Sequence, residues 1–349
     1  MRITSAASAF PKHQYSQATL TAALKHHWSG KLEEPRLLER LHARTGVDRR
    51  CLVRPIEDYP GITTWGQAND IWIEAALELG QQAVCRAVTR AGIAATDLDA
   101  LFFVSITGVA SPSIDARLIN RMGLKRDIRR VPVFGLGCVA GAAGLSLAAD
   151  YVRAYPDRVA ALLSVELCSV TLRPDDLSIA NLISTGLFGD GAAAVLVAGD
   201  NVALPGPEIV STRSVFYPDT EDVMGWEISE KGFRIVLSPE VPDMVYRHLG
   251  EDVDAFLADA GLTRRDIGSW ILHTGGPKIL EAMQDVFDLH NGEIDASWDC
   301  LRNVGNISSA SVLVVLEDVI ERRRPEPGTW GLLAAMGPGF CSELLLLRW

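Results

Sequence analysis

Two stretches of the chain, 169 residues apart, read alike without a gap. Ala91-Gly-Ile-Ala-Ala-Thr-Asp-Leu-Asp-Ala-Leu-Phe-Phe-Val104 lines up with Ala260-Gly-Leu-Thr-Arg-Arg-Asp-Ile-Gly-Ser-Trp-Ile-Leu-His273. Each reads as the end of a helix, a short turn and a buried strand. A second pair stands at an offset of 168: Gly137-Cys138 before a helix with Asp150, and Gly305-Asn306 before a helix with Asp318. More loosely, the strand ending at Val165 matches one ending near Leu333. An almost constant offset across three elements implies one α/β unit present twice, fused and diverged. Duplication makes the helix starts at Cys138 and Asn306 equivalent points. A pseudo-twofold axis between the halves can then bring both to one centre.

The rest of the chain agrees with that frame. Apolar runs such as LFFVS (101–105), AALLSV (160–165) and AAAVLV (192–197) alternate with helical patterns at 71–91, 141–154, 241–260 and 309–323. The prolines and glycines of Gly199–Pro207 read as a linker, dividing the chain into halves 1–199 and 200–349. At 349 residues each half has room for its own core. A net charge of −11 argues against nonspecific nucleic-acid binding. The six cysteines form no CxxC pair, and the N-terminus lacks a signal-type apolar run. No stretch approaches a charge-free membrane span. The expectation is a cytoplasmic protein with free thiols, most of them small buried hydrophobes.

Three segments carry chemistry. Cys138 sits in Val133-Phe-Gly-Leu-Gly-Cys-Val-Ala-Gly-Ala-Ala-Gly144, a strand, a glycine-permitted turn and a small-residue helix. A helix start favours thiolate over thiol, and the small neighbours leave room for a thioester. The plain alternative is a structural cysteine. His273 ends a buried strand and opens His273-Thr-Gly-Gly-Pro-Lys278, where backbone can stay close to a ligand. Asn306, in Gly305-Asn-Ile-Ser-Ser-Ala310, could be an ordinary helix N-cap. Singly these are weak signals; with the duplication they point to one site.

These motifs, together with Gly186-Leu-Phe-Gly-Asp-Gly191 and the Met-Gly-Pro-Gly-Phe run ending at Phe340, resemble the type III polyketide synthases, the chalcone-synthase-like branch of the thiolase superfamily. The resemblance runs from about Val47 to the end. It implies a five-layered αβαβα fold of two duplicated halves, acting as a homodimer. It also implies that Cys138 accepts an acyl group from an acyl-CoA starter, with His273 stabilising the thiolate. His273 and Asn306 would then hold the carbonyl oxygen that gains charge when malonyl-CoA loses carbon dioxide. No cofactor beyond the CoA thioesters, and no metal, is expected. Phe188 matches the phenylalanine between the CoA tunnel and the cavity, and Gly337, Pro338 and Gly339 match a cavity-wall loop. Arg36, Arg40 and Arg44 recur every four residues where the family binds CoA phosphates. Their plain alternative is a solvated helix face partnered by Glu33, Glu34 and Glu39.

The cavity positions depart from the plant pattern. Ser111 stands where plant members carry a methionine that crosses the dimer interface. Cys168 and Ser184 replace threonine and glycine, Phe233 and Ile235 replace leucine and phenylalanine, and Thr171 completes the expected substrate set. These changes shift the expected starter from an aromatic acyl group to a fatty acyl-CoA, and the product to an alkylpyrone or alkylresorcinol. Three rivals stay open. One is a thiolase using Cys341 as second cysteine, and another a ketoacyl synthase III-like enzyme fed by acyl-carrier protein. The third is a noncatalytic thiolase-fold binding subunit.

Overall fold

In the computed structural model of the chain, which describes residues 1–349 except Glu33 and Pro35, the two repeated segments fold alike. Gly92 and Gly261 each sit at φ +70° after a helix, where a residue with Cβ would be strained. Short 3-10 turns follow at Ala95–Asp97 and Arg264–Asp266, then the strands Ala100–Val104 and Ile267–Leu272. In both copies an aspartate closes the turn. Asp97 accepts from Ala94 N and Asp266 from Thr263 N, each at 2.8 Å.

The main sheet has nine strands, four of each half in one repeated order. In the first half Ala100–Val104 runs parallel to Val159–Leu167, which pairs antiparallel with Asp190–Ala198, which pairs antiparallel with Arg2–Ala9. In the second half the same relations hold for Ile267–Leu272, Trp330–Gly337, Cys341–Arg348 and Glu208–Phe216. Arg129–Val133 extends the first half at its outer edge. The halves meet where Arg2 pairs with Glu208.

Alternation along the strands sorts the core into layers. Leu101, Phe103, Ala161 and Leu163 face the outer helix Trp65–Ala91. Phe102, Ala160 and Leu162 face inward onto the helices Ala140–Ala154 and Ser311–Asp318. Ile271, Leu333 and Leu345 of the second half cover the other side of those helices. Leu272, Leu332 and Leu346 face outward onto Gly250–Asp259 and Pro277–Phe287. The result is helix, sheet, helix pair, sheet, helix: the five-layered thiolase-like architecture expected.

The central helices meet closely because their contact is built from small residues. A Cβ on Gly141 would lie 2.1 Å from the backbone oxygen of Ser309, so only glycine fits. Elsewhere the elements differ from expectation. The outer helix starts at Trp65 rather than Ile71, because Thr64 and Gln67 form a capping box. The helices expected at 241–260 and 309–323 each contain a π turn, at Val245–Leu249 and Val319–Arg323. No helix among the described residues is long and apolar enough to cross a membrane.

Candidate active site

Equivalent helix starts bring the first and third motifs together. Gly137, at φ +56°, lets the chain turn into the 3-10 segment Gly137–Val139, and a Cβ there would lie 2.6 Å from the Pro338 ring. Cys138 is thereby placed at the wall of a cavity of about 500 Å³. Across from it, Gly305 at φ +72° delivers Asn306. Asn306 N donates to Leu187 O and its carbonyl accepts from Gly189 N, both at 2.9 Å, so Asn306 and Phe188 are held as a two-residue parallel bridge.

The side chains then form a connected line. Cys138 Sγ lies 3.5 Å from Ser308 Oγ. Ser308 N donates to Asn306 Oδ1 at 2.8 Å, and Asn306 Nδ2 donates to Gly275 O at 3.3 Å. This fixes the amide orientation and leaves the second Nδ2 hydrogen without a partner among the described residues. His273, two residues before Gly275, follows the strand Ile267–Leu272 and donates its N–H to Ala334 O at 3.0 Å. Its imidazole is buried, and Nδ1 has no hydrogen-bond partner among the described residues.

Electrostatically this resting site differs from a preformed ion pair. Burial pushes the Cys138 thiol up to about 11, opposed by the Ser308 hydrogen bond. Burial also pushes His273 down to about 4. Each group alone is therefore held neutral, and no hydrogen bond joins the two side chains among the described residues. A thiolate here depends on both groups charging together.

The expected substrate positions divide. Phe188, Cys168, Thr171, Ser184, Ile235 and Pro338 line the Cys138 cavity. Phe233 instead lines a second cavity, also of about 500 Å³, which adjoins the first through Tyr59, Thr107, Ser169 and Thr171. The ring of Phe233 meets Trp65 edge-on and packs behind Phe134 and Trp226, which themselves line the Cys138 cavity. Gly337 and Gly339 line neither cavity. A Cβ on Gly337 would crowd Val139 N at 2.7 Å, and Gly339 lies against Phe216 and Cys341, so their part is close backbone packing. Ser111 is exposed in the loop after Ala100–Val104, outside this chain's own cavity.

The helical reading of the three arginines needs correction. The helix there spans only Leu37–His42, so Arg36 is its N-cap and Arg44 lies beyond its end. Arg40 is engaged by both carboxylate oxygens of Glu34, and Lys25 by Glu39; Glu33 lies outside the described residues. Cys341, the second cysteine that the thiolase reading named, donates to Pro338 O at 3.3 Å and does not line the Cys138 cavity; Cys168 does, but burial pushes its thiol well up.

Several site groups went unassigned in the sequence. Ser308 stands at φ +46°, unusual for a residue with Cβ, and is the direct neighbour of Cys138. Arg50 is buried at the cavity wall, and its guanidinium donates to Phe188 O at 2.5 Å and Thr185 O at 2.8 Å. It thus braces the Phe188 turn from behind. Glu166 is wholly buried and accepts from Ser309, Thr107, Ser105 and the N–H of Ile106. Burial raises its carboxyl to about 7. An arginine beside the apolar pair Cys51-Leu52 in the strand Arg49–Leu52, and a glutamate inside VAALLSVEL, were the available signals. A charged residue within an apolar strand is rare enough to mark.

Comparison with known proteins places the chain. The family described as chalcone and stilbene synthases matches its N-terminal domain over residues 3–201 and its C-terminal domain over 208–349. The 1,3,6,8-tetrahydroxynaphthalene synthase of Streptomyces peucetius subsp. caesius is 52% identical over 345 residues, 98% of this chain and 91% of that protein. The 3,5-dihydroxyphenylacetyl-CoA synthase of Streptomyces toyocaensis is 33% identical, over 90% of this chain and 83% of that one. Among solved structures, 1,3,6,8-tetrahydroxynaphthalene synthase from Streptomyces coelicolor A3(2), a bacterial type III polyketide synthase, superposes with a TM-score of 0.95. It is 31% identical, covering 100% of this chain and 99% of that one.

Proposed function

The chain belongs to the chalcone and stilbene synthase family, and on that premise we propose that it builds a small polyhydroxylated aromatic of the tetrahydroxynaphthalene kind from malonyl-CoA alone. It is a type III polyketide synthase, an acyltransferase that works by decarboxylative condensation. The observation that carries the product reading is the 52% identity to one such synthase over 98% of the chain.

In the mechanism we favour, Cys138 takes the acyl group from CoA. A second malonyl-CoA then loses carbon dioxide, and the electrons of the broken C–C bond become an enolate. Asn306, through its second amide hydrogen, and His273 hold the enolate oxygen; each such donor is worth about 3 kcal/mol of barrier. The enolate carbon attacks the acyl thioester, Cys138 leaves as thiolate, and the chain returns to CoA two carbons longer. Decarboxylation supplies the electron pair, so the step balances without a cofactor beyond CoA. Phe188, tied to Asn306 and braced by Arg50, shields the reacting carbons from water.

The expected fatty starter keeps one observation in its favour, the second cavity of about 500 Å³ that adjoins the first at Thr171 and could take an alkyl tail. A homodimer is the assembly we propose, supported by the exposed Val109 and Phe134 near the Ser111 loop and the cavity rim. CoA chemistry favours a cytoplasmic site of action.

The test is product mass spectrometry with malonyl-CoA as sole substrate, beside a Cys138→Ala control. An aromatic polyphenol that vanishes in the control supports the reading. A protein that forms product only after a long-chain acyl-CoA is added overturns it in favour of alkylpyrones or alkylresorcinols.

A further inference from the structure

A second line of hydrogen-bonded side chains reaches the same cavity, and the condensation chemistry makes no use of it. Tyr59, on the 3-10 turn Ile56–Gly61, lines both cavities. Its Oη lies 2.5 Å from Ser169 Oγ, and Ser169 Oγ donates to Asp190 Oδ2 at 2.5 Å. Asp190 is wholly buried at the start of Asp190–Ala198. It also accepts from Ser169 N at 2.8 Å and Val53 N at 2.7 Å. A serine hydroxyl has one hydrogen. Ser169 gives that hydrogen to the carboxylate, so Tyr59 must be the donor to Ser169. The phenol therefore commits its proton to Ser169; the Arg54 N–H meets one side of its oxygen, and the remaining lone pair is the one that can accept a proton.

This polarity suits removal of a proton from a ligand. Condensation by Cys138, His273 and Asn306 needs no base, because its carbanion comes from decarboxylation. Ring closure between carbons does need one, since a methylene between two carbonyls must lose a proton first. We propose that Tyr59, Ser169 and Asp190 form a proton relay that deprotonates the polyketide chain for carbon–carbon ring closure. The inference rests on the condensation reading above, which supplies the poly-β-ketone.

The step balances. A methylene proton passes to Tyr59 Oη, the Tyr59 proton to Ser169 Oγ, and the Ser169 proton to Asp190 Oδ2. The electron pair left on carbon forms the new bond to a carbonyl carbon, whose oxygen becomes an alkoxide. Asp190 returns its proton along the same line to that oxygen. No oxidant or reductant takes part.

The charges around Asp190 support the assignment. Burial raises its carboxyl to about 6, while the bonds from Ser169 and Val53 and the nearby Arg50 guanidinium hold it down. The other titratable groups that feel its charge are the Cys51 and Cys168 thiols and the Tyr59 phenol, and burial pushes all three up. They stay neutral near pH 7, and the carboxylate at the far end is the group that can take a proton. A free tyrosinate is disfavoured, so the proton must travel through.

The experiment compares wild type, Tyr59→Phe and Ser169→Ala, each supplied with malonyl-CoA from pH 5 to pH 9. The readout is the ratio of carbocyclic aromatic to lactone products, normalised to carbon dioxide released. Lactones close through an enol oxygen, and a methylene between two carbonyls enolises unaided in water, so they mark closure that does not use the relay. In wild type the ratio should fall as pH drops through about 6, where Asp190 takes up its proton. Both variants should lower the ratio at least about ten-fold and lose that pH step. A role for Tyr59 as mere cavity wall predicts that Ser169→Ala keeps the wild-type ratio and pH step, and that result overturns the relay alone. Wild-type protein that releases no carbon dioxide overturns the relay and the condensation reading together.

Discussion

Cys138 and His273 are each held neutral by burial in the resting site. The thiol at about 11 and the imidazole at about 4 are both displaced by burial, each in the direction that disfavours its own charge. Only mutual attraction in a low-dielectric site can offset two desolvation costs at once. Removing the histidine should therefore leave a thiol with its burial-raised value. In His273→Ala, alkylation of Cys138 by iodoacetamide at pH 7 should slow at least about 100-fold. Its rate should climb toward pH 11, whereas in wild type it levels off at lower pH. Superimposable pH–rate profiles would show that the two side chains do not form the pair. The sequence singled out the three candidate residues because each stands at a glycine-marked break in an apolar pattern. It was silent on Ser308, Tyr59 and Asp190. Their meaning lies in contacts across 170, 110 and 21 residues, and no periodicity spans those separations.

At the scale of elements, the site depends on how near the two central helices come. Gly141 faces the Ser309 carbonyl at a distance that no Cβ can share, and backbone cannot step aside as a side chain can. Gly144 has a similar conflict, 2.5 Å, but with the end of the Leu162 side chain. Gly141→Ala should thus lower stability by about 3 kcal/mol or more, and Gly144→Ala by clearly less. Urea unfolding of both variants measures the order; equal losses would mean that the helices can part as readily as a leucine can turn. The same contrast explains what was legible in the fold. The repeat at 91–104 and 260–273 disclosed turn, strand and topology together, since Gly92, Asp97 and their counterparts Gly261 and Asp266 are local devices. The arginines at 36, 40 and 44 suggested a longer helix than the chain forms. Helical spacing carries no stop signal, and the chain leaves the helix at His42.

For the molecule as a whole, the buried carboxyls set how stability follows pH. Glu166 at about 7 and Asp190 at about 6 both bind protons more tightly folded than unfolded. The folded state then holds more protons than the unfolded chain between about pH 4.5 and pH 7, so stability falls as pH rises through that window. The contribution of Glu166 is fully present below its unfolded value and lost above about 7. For a shift of this size the loss is on the order of 3 kcal/mol. The exposed ion pairs cannot compensate, because each contributes little in water. A glutamine at this position carries no charge to bury. Its oxygen can still accept from Ile106 N and Thr107, and its amide can donate to the Ser309 hydroxyl, which turns to accept. Glu166→Gln should accordingly unfold at a higher temperature than wild type at pH 8 and at a similar temperature at pH 5. Calorimetry at the two pH values decides it. A variant destabilised equally at both would mean that the four hydrogen bonds to the carboxylate outweigh the cost of burying its charge.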